Sequence, residues 1–373
     1  MKLVFFGLTL SSSWGNGHAT LLRGLFRALV RRGHKIVFFE RDVPYYAANR
    51  DLASFEGIHL YLYADWKDAV PPANAEIADA DAGIVTSYCA DGIPATELIL
   101  CASLPLRVFY DLDTPVTLTR LSAGEQVEYI GPRGLADFDL VLSYTGGVAL
   151  ESLRRQLGAR CIAPLYGSVD PGVHRRTEER PQYRADLSYI GTYAEDRQGT
   201  LQELFITPAS LLPDKRFVIA GASYPSEFPW TPNIFFVKHL PPQEHASFYS
   251  SSRITLNVTR SSMAKMGYCP SGRLFEAAAC GTPILSDSWE GMHEFFAPGA
   301  EILIARNSTE AMDAISLTDA ELSRIALAAR ERVMQCHTAD RRAAELEKIL
   351  EHAMAAGSSP TIGLDETAAH AEM

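Results

Sequence analysis

Arg273 and Glu276 are two charged residues whose spacing could create a ligand site. They lie three residues apart in SGRLFEAAACGTPIL at 271–285, so on a helix both project from one face near its start. Ser271 and Gly281 predict where that helix begins and ends. A carboxylate there can accept hydrogen bonds from both hydroxyls of a ribose, and an arginine beside a helix amino terminus can hold a diphosphate. The alternative is an ion pair on a helix surface.

A second candidate phosphate site is the segment YIGTYAEDR at 189–197. Gly191 follows an apolar run, and a glycine at the end of a strand lets the backbone approach a phosphate closely. Arg197 follows in the first turns of the next predicted helix, where its planar guanidinium can contact two phosphate oxygens. Asn257 and Arg260 stand at the end of another apolar run, just before the helix that carries Arg273.

His18 closes the polar loop TLSSSWGNGH at 9–18, which follows the first apolar run. A neutral imidazole at the mouth of a cleft can act as a general base for an acceptor hydroxyl. Asn16 and Gly17 would lie beside it on the same side of the cleft. His18 could instead be only a hydrogen-bonding residue at the start of a helix.

The same loop raises the alternative of a nicotinamide-dependent oxidoreductase. Gly15 and Gly17 have the first spacing of the G-x-G-x-x-G fingerprint, and Glu40 ends the second apolar run, where an acid binds ribose in such enzymes. Position 20 is threonine, however, so the fingerprint is incomplete. The two glycines are also explained by a tight turn before the helix.

Alternating strand and helix patterns must position these residues. The predicted strands of the first half are short and nearly continuous apolar runs at 2–8, 35–40, 58–63, 83–88, 107–112, 140–144 and 161–166. Those of the second half begin near 187 and continue at 216–222, 233–239, 253–259, 282–287 and 301–305. Such runs are typical of parallel strands buried on both faces, and the clearest helix between them is 20–32.

This rhythm predicts an α/β fold of two Rossmann-like, doubly wound parallel-sheet domains that face a central cleft. We place the first domain at 1–170, a linker at 171–186, the second domain at 187–340, a C-terminal helix at 341–354 and a mobile tail at 355–373. Ligands should bind at the carboxyl ends of the strands, where the two domains meet.

Composition narrows the function classes. The chain has 373 residues and a formal net charge of −11, which argues against a nucleic acid partner, because duplex binding needs a clustered basic surface. The six cysteines are far apart, without a CxxC pair, so we expect reduced thiols and a cytoplasmic protein. We also expect no signal peptide and no membrane-spanning segment.

The segment SGRLFEAAACGTPIL, preceded by LNVTR, closely resembles the C-terminal domain of family-1-type glycosyltransferases, and most of all the group named after the spore-maturation protein CgeB. YIGTYAEDR and VFYDLDTP at 108–115 are also similar to segments of that group. The resemblance implies the GT-B fold and transfer of a sugar from a nucleoside-diphosphate sugar, with UDP as the default nucleotide. The acceptor would bind mainly to the first domain and the donor to the second.

By position, the resemblance makes Glu276 the ribose-binding residue, makes Arg273 and Arg197 phosphate ligands, and places the His239-Leu240 loop beside the base. The full set of expected donor residues is Gly191, Thr192, Arg197, Gly221, His239, Leu240, Asn257, Ser271, Gly272, Arg273 and Glu276. No cofactor is implied beyond the sugar nucleotide itself, which is a co-substrate.

One departure from the family concerns the E-x7-E pattern of many retaining relatives. The position of its first glutamate is occupied by Tyr268, so the stereochemical outcome stays open. An inverting enzyme would need a base in the first domain, for which His18, Asp111 and Asp113 are candidates. Asp113 would otherwise be a helix N-cap. Asp111 and Asp113 have D-x-D spacing but lie in the acceptor domain. The resemblance implies a fold in which the helix dipole and arginine side chains do the work of a metal ion, so we predict metal-independent catalysis, with Arg273 stabilising the leaving diphosphate.

Arg23, Arg27 and Arg31 recur every four residues on the first helix. They form either a solvated face or a weak contact with anionic lipid headgroups at the inner membrane face, next to a lipid-linked acceptor. The acceptor itself, whether a glycan, a lipid-linked compound, a protein or a small molecule, is not encoded in a readable motif. A nucleotide-sugar epimerase or binding protein on the same fold is a further alternative.

Overall fold

The computed structural model describes residues 1–52 and 54–357 and contains two parallel β-sheets. The first sheet has seven strands, in the order β3-β2-β1-β4-β5-β6-β7. The strands are β1 Lys2–Gly7, β2 Lys35–Arg41, β3 Ile58–Tyr63, β4 Ala82–Thr86, β5 Leu106–Asp111, β6 Leu140–Ser143 and β7 Ile162–Pro164. Its helices are α1 His18–Arg31, α2 Pro44–Ala47, α3 Trp66–Ile77, α4 Gly92–Cys101, α5 Thr114–Ser122 and α6 Val148–Leu157.

The second sheet has six strands, in the order β10-β9-β8-β11-β12-β13. They are β8 Ala185–Ile190, β9 Phe217–Gly221, β10 Ile234–Lys238, β11 Ser252–Asn257, β12 Ile284–Ser286 and β13 Leu303–Ile304. The remaining helices are α7 Glu195–Leu201, α8 Thr207–Leu211, α9 His245–Ser250, α10 Ser261–Met266, α11 Gly272–Ala279, α12 Ser308–Ser316, α13 Asp319–Cys336 and α14 Ala339–Gly357. A π-helical turn, Gln202–Ile206, joins α7 to α8.

Both sheets are built from apolar strands because each is covered by helices on two faces. In β1, Leu3 and Phe5 pack into one core cluster while Val4 and Phe6 pack into another. All four side chains are almost completely buried. This explains why the predicted strands read as continuous apolar runs rather than alternating ones. Each predicted strand is confirmed, as is the two-domain Rossmann-like architecture.

The strand order places a topological switch point in each domain. In the first sheet it lies between β1 and β4, and in the second between β8 and β11. At such a point the loops leave two neighbouring strands in opposite directions and open a crevice at their carboxyl ends. The loops that carry the candidate residues begin at these two crevices.

The C-terminal helix returns to the first domain. Ala343, Leu346 and Leu350 of α14 are buried in the same cluster as the apolar face of α1. A β-bridge between Val169 and Thr338 marks the place where the chain crosses between the domains. The predicted linker 171–186 contains the 3-10 turn Pro181–Tyr183, and its last two residues already belong to β8. Most of the predicted mobile tail, from residue 358, lies outside the described residues.

Candidate functional site

His18 and Asp113 form a hydrogen-bonded pair at the crevice of the first sheet. His18 begins α1 after the β1 loop, and Asp113 follows β5 at the start of α5. The His18 Nε2 and Asp113 Oδ2 atoms are 2.7 Å apart, and both side chains are mostly buried. Neither side chain makes a capping hydrogen bond to its own helix. The two side chains instead bond each other, although they are 95 residues apart in the sequence.

The imidazole of His18 has one nitrogen left for other chemistry. Its Nδ1 atom is buried and has no hydrogen-bond partner among residues 1–52 and 54–357. If Asp113 accepts the Nε2 proton, the tautomer is fixed and the Nδ1 lone pair stays free. This arrangement of an acid, an imidazole and a free lone pair is that of a general base held by a carboxylate.

Ser87 and Asp111 hold Asp113 in place. The Ser87 hydroxyl donates to Asp113 Oδ2 at 3.1 Å, and the Asp113 backbone N–H donates to Asp111 Oδ1 at 2.9 Å. Asp111 is completely buried. Burial, reinforced by the neighbouring Asp113 carboxylate, raises the pKa of Asp111 to about 7. Asp111 therefore lies behind the pair and positions it, rather than facing the cleft.

The β1 loop is held by hydrogen bonds that account for its polar sequence. Asn16 Oδ1 accepts the Ala19 backbone N–H and so caps α1, while Gly15 has a left-handed φ of 69°. Glu40 is completely buried and accepts bonds from the Leu10 and Ser11 backbone N–H groups and from the hydroxyls of Thr9 and Ser11. Its carboxylate is thus occupied by the loop and is not available for a cofactor ribose.

Three arginines gather at the crevice of the second sheet. They are Arg197 of α7, Arg260 after β11, and Arg273 of α11. Burial lowers the pKa of the Arg197 guanidinium, and the charges of Arg273 and then Arg260 lower it further. Within the described part of the chain the buried Nε atom of Arg197 lacks a hydrogen-bond partner. Cations that repel one another at a partly unpaired site are the electrostatic feature of an anion-binding site.

Arg273 joins the two strands at the switch point. Its Nη1 donates to the Ile190 carbonyl at 2.7 Å and its Nη2 to the Val258 carbonyl at 3.2 Å, while its Nε donates to the Ser271 hydroxyl at 3.1 Å. No ion pair with Glu276 occurs among the residues described, so the surface-pair alternative is wrong. Because all its donor nitrogens already have partners, Arg273 supplies positive charge from below the site.

Gly191 and Gly221 bring the ends of β8 and β9 very close together. A Cβ atom added at Gly221 would lie 2.0 Å from the Gly191 carbonyl oxygen, and one added at Gly191 would lie 3.0 Å from Arg273 Nη1. Side chains at these positions would therefore collide with backbone or with the arginine. Thr192 follows as an exposed residue of the loop before α7, where its carbonyl accepts a hydrogen bond from Arg197 Nη1 at 3.2 Å.

Glu276 lies on the first turns of α11 among aromatic and imidazole groups. Its Oε2 accepts a long bond of 3.4 Å from the Tyr249 hydroxyl and lies 4.0 Å from His174 Nε2. A Cβ atom added at Gly272, the first residue of this helix, would lie 3.9 Å from the other carboxylate oxygen. The predicted start of α11 after Ser271 and the stop at Gly281, which has a φ of 71°, are both confirmed.

His239 and Leu240 form the loop after β10, and the loop contacts the other domain. His239 has a left-handed φ of 52°. Its ring packs against Trp14 of the β1 loop, with ring centroids 3.2 Å apart. Leu240 is buried in the core of the second domain. The two loops therefore meet at the mouth of the cleft.

Asn257 ends β11 as the sequence predicted. Its Nδ2 donates to the Ser286 hydroxyl at 3.0 Å, whereas its buried Oδ1 has no partner within residues 54–357 or 1–52. Asn257 therefore bridges β11 to β12 and keeps one acceptor free near the arginines.

The two halves of the site face each other across the cleft. Tyr88, which follows β4, packs its ring edge-on to His18 at 6.1 Å between centroids. Burial raises the pKa of the Tyr88 hydroxyl and Asp113 raises it further, whereas Arg120 and Arg260 act in the opposite direction. The charge of Arg260, on the second domain, therefore reaches the neighbourhood of the pair on the first domain.

Ser87 and Tyr88 are site residues that the sequence analysis did not identify. The available signal was their position: both follow β4, which is the strand next to β1 at the switch point of a doubly wound sheet. His174 and His245 were also missed, because nothing in their local sequence distinguishes them from other histidines.

Tyr268, which replaces the first glutamate of the E-x7-E pattern, joins the domains. Its carbonyl accepts the Gly146 N–H at 3.0 Å, and its φ of 46° is unusual for a residue with a side chain. Cβ atoms added at Gly147 or Gly291 would each lie 2.4 Å from its ring. The ring therefore fills the space between two glycines, one from each domain.

The arginines of the stripe on α1 are each paired with a carboxylate, so contact with anionic lipid headgroups, which stays a prediction, would have to open these pairs. Arg23 is buried and bonds Asp51, Arg27 bonds Asp170, and Arg31 bonds Asp340. Each charge is matched by a carboxylate from the loops or from α14. Across the described residues, no helix is both long enough and apolar enough to span a membrane.

The comparisons with known proteins agree with this architecture. Residues 197–348 match a sequence family described as glycosyl transferase-like. The structure superposes on sucrose-phosphate synthase from Thermosynechococcus elongatus with a TM-score of 0.71 and 14% identity, over 95% of this chain and 99% of that chain. It superposes on Anabaena HepE in complex with UDP and glucose with a TM-score of 0.67 and 14% identity, over 94% and 100% of the two chains.

A third similar structure is the trehalose-6-phosphate synthase OtsA, with a TM-score of 0.64 and 11% identity over 94% of this chain and 99% of that one. At identities this low, the superpositions show a shared fold and nothing more. They confirm the predicted GT-B fold. The curated protein sequences that were compared include no match to the chain.

Proposed function

We propose that this GT-B protein, whose C-terminal half matches a glycosyl transferase-like family, transfers a sugar from a nucleoside-diphosphate sugar to an acceptor hydroxyl. The observation that carries the proposal is the arginine cluster of the second crevice, which lies opposite the His18–Asp113 pair of the first. One crevice offers positive charge to a leaving diphosphate, and the other offers a base to an acceptor. UDP is the default nucleotide, and similar structures hold UDP or UDP-glucose.

On the donor side, the diphosphate lies against Arg197, Arg260 and the start of α11. The unpaired nitrogen of Arg197 can contact a phosphate oxygen directly, while Arg273 acts through its charge from beneath the Gly191 turn. Glu276 accepts the ribose hydroxyls, and the base lies beside His239 and Leu240. Positive charge at these places stabilises the negative charge that develops as the sugar–phosphate bond breaks.

On the acceptor side, His18 takes the proton. Asp113 holds the Nε2–H, so Nδ1 removes the hydroxyl proton as the acceptor oxygen bonds to the anomeric carbon. The bond from that carbon to the diphosphate oxygen breaks, and the electron pair leaves with the nucleotide. A base that acts in one such displacement gives inversion at the anomeric carbon. We expect no metal ion in this step, because the arginines and the helix amino terminus supply the positive charge.

The two other functions are less well supported. A nicotinamide enzyme would need a free acid at the end of β2, but Glu40 is occupied by four hydrogen bonds from the β1 loop. An epimerase or a binding protein would use the donor crevice without a base positioned for an acceptor. The narrower resemblance to CgeB-like proteins and a cytoplasmic location stay predictions.

Nucleotide binding is the first test. UDP, GDP, dTDP, CMP and NAD(H) would be compared by thermal shift and calorimetry on the wild type, Arg197→Gln and Arg306→Gln. Arg306 is exposed on the same domain and serves as the matched control. One nucleoside diphosphate should bind the wild type and the control, and Arg197→Gln should weaken it about tenfold to hundredfold, the loss expected for a charge-assisted hydrogen bond. Stabilisation by NAD(H) alone would contradict the proposal.

Transfer is the second test. The labelled sugar nucleotide that binds would be offered to a panel of glycan, lipid-linked and small-molecule acceptors, and the anomeric configuration of any product read by NMR. Transfer with inversion supports the His18 mechanism. Retention would refute the proposed role of His18, and interconversion of the donor sugar without transfer would identify an epimerase instead.

A further inference from the structure

His174, His245 and Glu276 form a cluster of potential ligand atoms behind the donor crevice. The His174 and His245 ring nitrogens and one Glu276 oxygen all lie within 4.8 Å of one another. His174 comes from the chain between the two sheets, His245 from the start of α9, and Glu276 from α11. Tertiary folding alone brings them together.

Two ring nitrogens of these histidines have no hydrogen-bond partner in the part of the chain that the structure describes. They are His174 Nε2 and His245 Nδ1, both buried, and the His174 side chain is only 3% exposed. A buried polar atom without a partner is costly and rare in native proteins. Two such nitrogens, on histidines that cluster with one carboxylate, therefore call for a ligand that can bind all three residues.

The chemistry of the cluster matches a transition-metal ion. Two imidazoles and one carboxylate are a ligand set that Zn²⁺ uses, with an open position left for water.

The fit needs only small side-chain movements. Bond lengths of about 2.0 to 2.2 Å around a tetrahedral ion place ligand atoms about 3.3 Å apart. The ligand atoms now lie within 4.8 Å of one another. Side-chain rotations that shift each atom by about 1 Å would bring them to the spacing of a tetrahedral site. His174 Nε2 and Glu276 Oε2 are already 4.0 Å apart.

We propose that His174 Nε2, His245 Nδ1 and the Glu276 carboxylate bind a Zn²⁺-class divalent ion that competes with the nucleotide. The competition rests on the proposed function, because Glu276 is also the carboxylate assigned to the ribose. An ion that withdraws Glu276 toward the two histidines removes the acceptor for the ribose hydroxyls. The ion would thus be an inhibitor of donor binding and not a participant in transfer.

The binding test uses the full-length, tag-free protein in a Cys101→Ser/Cys336→Ser background, because these two cysteines are exposed and cysteine thiolates are zinc ligands. Zn²⁺ is titrated by calorimetry, and Co²⁺ is followed by its absorption spectrum. One ion should bind per chain, with nitrogen and oxygen ligands. His174→Gln and His245→Gln should each weaken binding at least about tenfold, a loss that even changes in outer partners can cause. His293→Gln, at an exposed histidine of the same domain, should leave binding unchanged.

Circular dichroism and thermal unfolding of each variant confirm that it is folded, and Glu276→Gln provides a third independent variant. The inference would be overturned if the wild type bound no ion. It would also be overturned if the His174, His245 and Glu276 variants bound the ion as tightly as the wild type does. These results are read without nucleotide, so they do not depend on whether the protein is a transferase.

The competition test titrates UDP at several free Zn²⁺ concentrations set by a chelating buffer, because UDP itself binds metal ions. The apparent UDP dissociation constant should rise linearly with the free Zn²⁺ concentration, and the slope should be lower in His174→Gln because that variant binds the ion more weakly. Independent binding of ion and UDP would overturn the shared use of Glu276. If the ion binds and no nucleotide does, the proposed function fails while the ion site stands.

Discussion

Asp111 should reduce the stability of the protein as the pH rises, because it is a carboxyl group buried without charge compensation. One of its oxygens accepts bonds from the Asp113 N–H and the Thr117 hydroxyl. The other has no partner among the residues that the structure covers. Burial and then the Asp113 charge raise its pKa from 3.8 to about 7. Ionising it in the folded state leaves a negative charge in an apolar surrounding beside another carboxylate.

The sign and size of the effect follow from proton linkage. Between pH 3.8 and about 7 the folded state keeps the Asp111 proton and the unfolded state has released it, so stability falls as pH rises through this window. The full difference corresponds to about 4 kcal/mol, at about 1.4 kcal/mol for each pH unit. About 3 kcal/mol of it should be lost between about pH 5 and about pH 8.5.

Asp111→Asn isolates this effect. The amide oxygen still accepts the Asp113 N–H, and the amide cannot ionise. Any cost of its buried N–H₂ group, about 1 to 3 kcal/mol, is the same at both pH values. Urea unfolding followed by circular dichroism at about pH 5 and about pH 8.5 should therefore show the variant gaining about 3 kcal/mol on the wild type as the pH rises.

Asp313→Asn is the matched control, because Asp313 is an exposed aspartate on α12. Its difference from the wild type should be the same at both pH values. If the difference between Asp111→Asn and the wild type also changed by less than about 0.5 kcal/mol, Asp111 would not titrate in this window. The conclusion that Asp111 is forced to ionise in the core, behind the His18–Asp113 pair, would then be wrong.

Three further predictions address the first domain. His18→Ala and Asp113→Asn should each lower kcat about 10²- to 10⁴-fold, which is the usual contribution of a general base. The nucleotide dissociation constant should change less than about threefold. Unchanged turnover in both variants would remove the pair from the mechanism. Glu40→Gln should lower the free energy of unfolding by about 2 to 3 kcal/mol, because a buried carboxylate loses charge-assisted hydrogen bonds, and a thermal melt equal to the wild type would contradict this. The protein should float no better with anionic than with neutral liposomes, since the α1 arginines are already paired; recovery that depends on anionic lipid would show that the pairs open.

Several features were predictable from the sequence because they depend on local patterns. Apolar runs of strand length predicted each strand of both sheets, since a parallel strand covered on both faces is apolar at every position. The boundaries of α11 followed from Ser271 and Gly281, whose backbone preferences are local. The positions of His18, Asp113 and Arg197 at the carboxyl ends of strands were predictable for the same reason.

The partners of these residues were decided by tertiary structure. His18 meets Asp113 because β1, β4 and β5 are neighbours in the sheet, and strand order is not a local property of the chain. Packing occupies the guanidinium of Arg273 with backbone carbonyls, the carboxylate of Glu40 with the β1 loop, and the arginines of α1 with acids. The sequence suggested an Arg273–Glu276 ion pair, a ribose-binding acid at Glu40 and a cationic stripe on α1. In the structure, Arg273, Glu40 and the α1 arginines instead make contacts that hold the fold together.

The sequence by itself determined the fold class and the edge of each sheet at which polar residues collect, because both follow from the periodicity of burial. Only the tertiary structure decided which charges are paired and which are left without partners. Long-range contacts satisfy Arg23 and Glu40 but leave Arg197, His18 and His174 with unpaired nitrogens. Because a buried polar atom without a partner is unfavourable, these unpaired atoms mark the places where a ligand is expected to bind.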